Sequence, residues 1–220
     1  MTIGIMTPLY GRPDLARMVA LQFNAQIKKP DLVVFYQNGP YPDYEWAIKD
    51  LVLDYNYQWI YNPQEEPVPS NWYKIPLEKL IEANCDYYFW CDHDDIYLSN
   101  HVELSVQDLE NTNSDLVVNS CSGILTLNEN TFQYQQQLFG SHSLGGMSSS
   151  MAFNKRFAQQ LLLDFCANLQ TLKYQNPDSV LSNETAKGFR ILHNASRIST
   201  IYVSHANSYT SKRTQKHRPR

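Results

Sequence analysis

The chain has 220 residues, 43% of them hydrophobic, which suits one sizeable core in a single α/β domain. Its formal net charge of −4 excludes a global positive field that would draw it to nucleic acid or an anionic membrane. No run reaches the roughly 18–20 apolar residues of a membrane span, and Cys85, Cys91, Cys121 and Cys166 form no Cys-x-x-Cys pair, so neither a zinc ribbon nor a disulfide framework is indicated.

The first residues carry no basic flank and no long apolar stretch, so neither export nor anchoring is expected and a reduced, cytoplasmic protein fits. Ile3 to Met6 form a short apolar run, followed by Thr7-Pro8-Leu9-Tyr10-Gly11-Arg12-Pro13-Asp14. Leu15, Met18, Val19 and Leu21 to Phe23 then recur at helical spacing, with Asp14 available as N-cap. Residues 32–36 are a second buried strand ending in the turn sequence Gln37-Asn38-Gly39-Pro40. A helix over 45–53 and a strand over 57–61 complete a β-α-β-α-β run, which implies a mainly parallel sheet with right-handed crossovers. The Pro-rich, acidic segment 62–69 reads as a loop, and Ser70-Asn71-Trp72 opens a helix over 72–82 whose start Pro76 restricts.

Tyr87-Tyr88-Phe89-Trp90 has the composition of a strand buried on both faces, and it runs into Cys91-Asp92-His93-Asp94-Asp95. Ligands of open α/β sheets collect just beyond the carboxyl ends of strands, where these carboxylates stand. Adjacent carboxylates repel and raise one another's pKa, which a divalent cation between them would relieve. The other reading is a helix N-cap with acidic first-turn residues, from Asp95 or Ser99 ahead of a helix over 100–109. Further strands are expected over 115–120, 123–127 and 131–138. The Gly/Ser-rich stretch 140–151, with Gly145, Gly146 and Met147 at its centre, is either a ligand-approaching loop or a plain flexible one. A strand over 149–153, a helix over 155–166, a helix start at Asn176-Pro177-Asp178, and a strand over 198–203 ending near His205 follow. The last nine residues hold Lys212, Arg213, Lys216, Arg218 and Arg220, a basic tail that is solvated or meets a diphosphate or anionic surface.

With the buried strand in front of it, Asp92-His93-Asp94-Asp95 resembles the Asp-x-Asp motif of GT-A fold glycosyltransferases, particularly the family 2 group. The other parts resemble that family in the same order from Thr7 to about Ser208. The resemblance implies a Rossmann-like α/β fold, a mixed, mainly parallel sheet flanked by helices. It implies one domain over 1–208, with a nucleotide-binding half (1–100) and an acceptor half (101–208), and a tail over 209–220. It places the nucleotide-sugar donor, a UDP-sugar as first choice, against Thr7, Pro8, Tyr10, Arg12, Gln37, Asn38, Ser70, Asn71, Asp92 and His93. Gln37-Asn38 stand where the family has Asp-Asp, so they offer the base or ribose only neutral groups. Asp94 and His205 are the implied ligands of Mn²⁺ or Mg²⁺, Gly145, Gly146 and Met147 face the acceptor and transferred sugar, and Asp178 is the implied general base, with Glu184 in reserve. The family's reaction is sugar transfer with inversion to an acceptor hydroxyl, on a glycan, a small molecule, a protein or a modified nucleobase. Nucleotidyl transfer on a similar sheet is the rival reaction, although the loop after the first strand lacks the Gly-rich basic signature it needs. A catalytically inactive nucleotide- or carbohydrate-binding module is the non-enzymatic rival.

Overall fold

A computed structural model describes residues 1–64, 69–128, 131–135, 148–174 and 176–205. The expected acceptor residues Gly145, Gly146 and Met147 and the basic tail lie outside the described residues. The elements run β1 (Ile3–Leu9), α1 (Pro13–Asn24), β2 (Leu32–Asn38), α2 (Trp46–Lys49), β3 (Asn56–Asn62), α3 (Pro69–Glu82), β4 (Tyr87–Trp90) and β5 (Ile96–Tyr97). They continue α4 (His101–Thr112), β6 (Leu116–Asn128), β7 (Thr131–Gln135), β8 (Met151–Asn154), α5 (Lys155–Thr171), α6 (Pro177–Val180) and β9 (Ile191–His205), with a π-helical turn over Leu181–Thr185.

Among the described residues the strands form one sheet in the order β3-β2-β1-β4-β8-β6-β9-β5, with β7 paired to β6. β3, β2, β1 and β4 are mutually parallel, β8 runs antiparallel between β4 and β6, and β9 lies parallel to β6. The fold class is thus mixed α/β, as the alternation of strands and helices predicted. Strand periodicity sends alternate side chains to opposite faces, and each face has its own core. Ile5, Phe35 and Phe89 pack with Val19 and Phe23 of α1 and Val106 and Leu109 of α4. Met6, Val34, Tyr88 and Trp90 pack on the other side with Leu77 and Leu80 of α3 and Phe157, Leu161 and Phe165 of α5. Gly4 lets α3 approach β1 this closely: a Cβ there would stand 2.8 Å from Leu80 Cδ2 and 2.9 Å from Cys85 Sγ. No helix among the described residues is long and apolar enough to cross a membrane.

Several expected elements have other bounds. The helix expected over 45–53 is only Trp46–Lys49, because Leu51 and Leu53 turn inward while Val52 between them is 87% exposed, a period of two rather than 3.6. α3 begins at Pro69 and carries Pro76 in its interior, giving up one i→i−4 hydrogen bond there. The runs expected as separate strands over 115–120 and 123–127 are one strand, β6, with register shifts between Asn119 and Ile124. β9 begins at Ile191, seven residues before the expected start, since its polar first half pairs with the buried β6.

His101, expected only as part of a helix, is 1% exposed, with its ring on Phe89 and Tyr97. Neither ring nitrogen has a hydrogen-bond partner among the described residues, and burial pushes the imidazole down to about 3 from 6.5. A folded value below the unfolded one means that the unfolded chain binds the extra proton. This contribution is therefore complete above pH 6.5 and is lost as pH falls toward 3, about 2 kcal/mol of it between pH 6.5 and pH 5. His101→Phe should flatten the acid side of a stability-against-pH curve by that amount. Urea midpoints with the same pH slope in both proteins would contradict it.

Candidate functional site

From β1 the chain steps one way across the sheet to β2 and β3, then returns to lay β4 on the other side of β1. The strand order thus reverses at β1, and open α/β sheets hold their ligands beyond the strand ends at such a point. Tyr10, Gly11 and Arg12 follow β1 there, Asp92, His93 and Asp94 follow β4, and the first turns of α3 bring Asn71, Trp72 and Tyr73 beside them.

The three aspartates, alike in sequence, have different surroundings. Asp92 is half-buried; its Oδ1 accepts from the Tyr73 hydroxyl at 2.7 Å and its Oδ2 from Ser149 Oγ at 3.2 Å. Asp95 is 1% exposed, accepting from Ser149 Oγ and, at 2.9 Å, from the Val203 N–H of β9. Burial, then the charges of Asp94 and Asp92, push the Asp95 carboxyl well above the usual range, while its two hydrogen bonds pull the other way. Asp95 therefore ties the β4 end to β9; the α4 N-cap is Asn100, which makes no side-chain cap. Asp94 and His93 are half-buried at the turn between. Arg12 donates to both oxygens of Asp14, at 2.9 and 2.6 Å, so Asp14 serves as its partner rather than as an N-cap. That bond does most to raise the Arg12 guanidinium, and the charge of Asp94 adds to it, so the cation of the β1 loop and the carboxylate of the β4 turn share one electrostatic neighbourhood.

Aromatic rings line the β1 and α3 side. Tyr10 lies nearly parallel to Trp72, with centroids 6.0 Å apart and planes at 14°, and edge-on to Tyr41 at 5.2 Å. Gly11 (φ +63°) and Gly39 (φ +113°) make this possible: a Cβ on either would strike Tyr41 or Tyr10 below 3.0 Å. Thr7 and Pro8 are buried within β1. Gln37, expected to offer a neutral edge to the base, is fully buried; its Nε2 donates to the Pro42 carbonyl and its Oε1 accepts from the Tyr44 N–H. It braces the turn after β2 instead of facing the crevice. Asn38 is also buried and accepts from Asn62 Nδ2 at 3.3 Å. Ser70 lies in the first turn of α3, and Asn71, half-buried, follows it.

Asp178 opens α6, half-buried, and its charge is among those that raise the Tyr73 hydroxyl, after burial and Asp92. The expected base and the expected ribose ligand thus both act on one tyrosine. Glu184 points elsewhere: Lys173 Nζ and the Tyr174 hydroxyl donate to its Oε1 at 2.7 and 2.8 Å, holding it down to about 2. His205 is the last residue of β9, two beyond Val203. Among the described residues no three carboxylate, imidazole or thiol groups already converge as a metal shell. Even so, the donor set has the chemistry of a hard-cation site: Asp92 and Asp94 are both partly open, and both push on a third, buried carboxylate. Sequence reasoning missed Tyr73, Tyr41 and Ser149. Tyr73 stands four residues before Leu77 on the apolar stripe of α3, whereas Ser149 is one of three consecutive serines with nothing to set it apart. An open cleft of about 400 Å³ between α1 and α2, lined by Asp14, Arg17, Trp46 and Asp50, borders this edge but contains none of the β4 acids.

No family model matches the sequence, and no curated protein matches it. Its fold is nevertheless shared with solved structures. S. aureus TarS 1-349 in complex with UDP-GlcNAc superposes with a TM-score of 0.63 at 12% identity, covering 96% of this chain and 61% of that one. The same TarS fragment in complex with UDP gives 0.63 at 13% identity over 94% and 61%. The 4-diphosphocytidyl-2C-methyl-D-erythritolsynthase of Anaerococcus prevotii gives 0.55 at 12% identity over 96% and 88%. The chain therefore spans about six tenths of the TarS fragment's length. Its fold is of the GT-A type.

Proposed function

We propose that the protein is a glycosyltransferase that moves a sugar from a nucleotide-diphosphate donor, a UDP-sugar as first choice, to an acceptor hydroxyl. The observation that carries this reading is the half-open Asp92–Asp94 pair at the end of β4. It sits at the switch point with Arg12 and the Tyr10–Trp72 rings, on a fold whose neighbour TarS has been solved with UDP-GlcNAc. In this reading the rings beside Gly39 receive the base and Asp92 accepts from a ribose hydroxyl. Asp94, with His205, would hold Mn²⁺ or Mg²⁺, which when bound neutralises the charge of the departing diphosphate. As the acceptor oxygen bonds to the anomeric carbon and the bond from that carbon to the diphosphate oxygen breaks, Asp178 takes the acceptor proton. Direct displacement inverts the anomeric centre. Gly145, Gly146 and Met147 belong to the acceptor side in this reading, and a cytoplasmic location goes with it.

The test is a thermal-shift series on the full chain with UDP and UDP-sugars, in Mn²⁺ and in EDTA. Saturation at 100 times Kd stabilises the fold by about 2.7 kcal/mol, a rise of roughly 5–10 °C for a chain of this size. The rise should appear with Mn²⁺ and largely vanish with EDTA. Equal shifts in both would remove the cation from the reading, and no shift with any nucleotide would remove the donor.

Nucleotidyl transfer is the second reading, favoured by the cytidylyl synthase neighbour, 88% of whose length is covered. Against it, the loop Leu9-Tyr10-Gly11-Arg12 offers a single glycine and a single cation, already engaged with Asp14. Pyrophosphate release from CTP or UTP with a sugar phosphate would favour it, whereas slow hydrolysis of a UDP-sugar in Mn²⁺ would favour transfer.

A further inference from the structure

An aspartate that must meet a ribose hydroxyl needs a defined carboxylate plane, and a carboxylate anchored at one oxygen still rotates about its last bond. Asp92 is anchored at both. Tyr73 donates to Oδ1 from α3 at 2.7 Å, Ser149 reaches Oδ2 from the turn before β8 at 3.2 Å, and the Tyr97 hydroxyl fixes the Asp92 backbone carbonyl at 2.9 Å. Each carboxylate oxygen accepts about two hydrogen bonds, so neither of these two holds by itself fills the oxygen it reaches. Ser149 has one proton and stands between Asp92 and Asp95, which makes it the weaker hold. Tyr73 is 8% exposed, and its ring is packed on Trp90 with centroids 4.1 Å apart, so its hydroxyl is presented by a rigid support. We infer that Tyr73 is the positioning residue of Asp92, with Ser149 as a second, weaker hold, and that donor affinity depends on these two hydroxyls. The link to donor affinity rests on the reading of Asp92 as a ribose ligand.

Titration calorimetry of UDP with Mn²⁺ into the full chain tests this in wild type, Tyr73→Phe, Ser149→Ala, Asp92→Ala and the Tyr73→Phe/Asp92→Ala pair. Tyr73→Phe keeps the ring on Trp90 and removes only the hydroxyl, so Kd should rise about tenfold, as a charge-assisted hydrogen bond is lost. Ser149→Ala should raise it about threefold, and Ser149→Thr, which keeps the hydroxyl, should restore it. In the Asp92→Ala background Tyr73→Phe should change Kd by less than about twofold, because its effect passes through a side chain already gone. A wild-type Kd in Tyr73→Phe, or an equal loss in both backgrounds, would overturn the inference. A urea-denaturation cycle on the same four Tyr73 and Asp92 proteins separates the two readings. If wild type bound no nucleotide, the functional reading would fall, while coupling in that cycle would still uphold the hold on Asp92 and zero coupling would end it.

Discussion

Asp94→Asn is expected to abolish the Mn²⁺-dependent part of nucleotide stabilisation and to lower sugar transfer by roughly 10³-fold, the several kcal/mol a metal supplies to a leaving diphosphate. Asparagine keeps the size and one carbonyl oxygen but gives up the charge that a hard cation requires. The fold should survive, because Asp94 is half-buried at a turn and the tie between β4 and β9 runs through Asp95. Asp95→Ala is the contrast. It leaves the Val203 N–H without its carboxylate and should destabilise the protein whether or not nucleotide is present. His205→Ala should weaken the Mn²⁺ titration without abolishing it. Full metal-dependent stabilisation retained by Asp94→Asn would refute the assignment of the β4 turn as the cation site.

The parts of this protein that depend on local pattern could be read from the chain. Tyr87 to Trp90 are bulky on every position because β4 is covered on both faces, and that composition alone announced a central strand ending in acid. The order of strands and helices through Glu82 gave the parallel half of the sheet, while the reversal of strand order at β1 came only with the structure. What could not be read was the sorting of the acids. Asp92, Asp94 and Asp95 differ only because β9 arrives from more than a hundred residues away to bury the last, and because Ser149 arrives from the other direction to reach two of them. The same non-locality hid the first half of β9, whose His193 and Asn194 pair with Val118 and Asn119 of β6. Gln37 misled for a local reason: an amide after a strand suits a base edge and a turn brace equally well, and the buried Tyr44 N–H decided for the turn.

Asp178→Asn is expected to cut turnover by ~10²–10⁴-fold, the usual cost of losing an acid–base group, while leaving the Kd for UDP within about twofold. Three observations make this the residue to test. Its carboxylate stands half-buried at the start of α6, its charge acts on the same Tyr73 hydroxyl that holds Asp92, and the helix gives way at once to the π-helical turn Leu181–Thr185, an irregularity common at functional sites. In the proposed reading, the charge of the expected base reaches the same tyrosine that holds the expected donor ligand, the neighbourhood in which an acceptor hydroxyl would be deprotonated beside a bound donor. Asparagine caps a helix about as well as aspartate, so a purely structural Asp178 would leave both rate and stability nearly unchanged in the variant. Glu184, the next acid along, is committed to Lys173 and Tyr174, so Glu184→Gln should lose that ion pair and keep its turnover. Single-turnover transfer rates of the two variants decide between them. A slow Asp178→Asn beside a normal Glu184→Gln fits the geometry, and the reverse would move the base six residues along the chain.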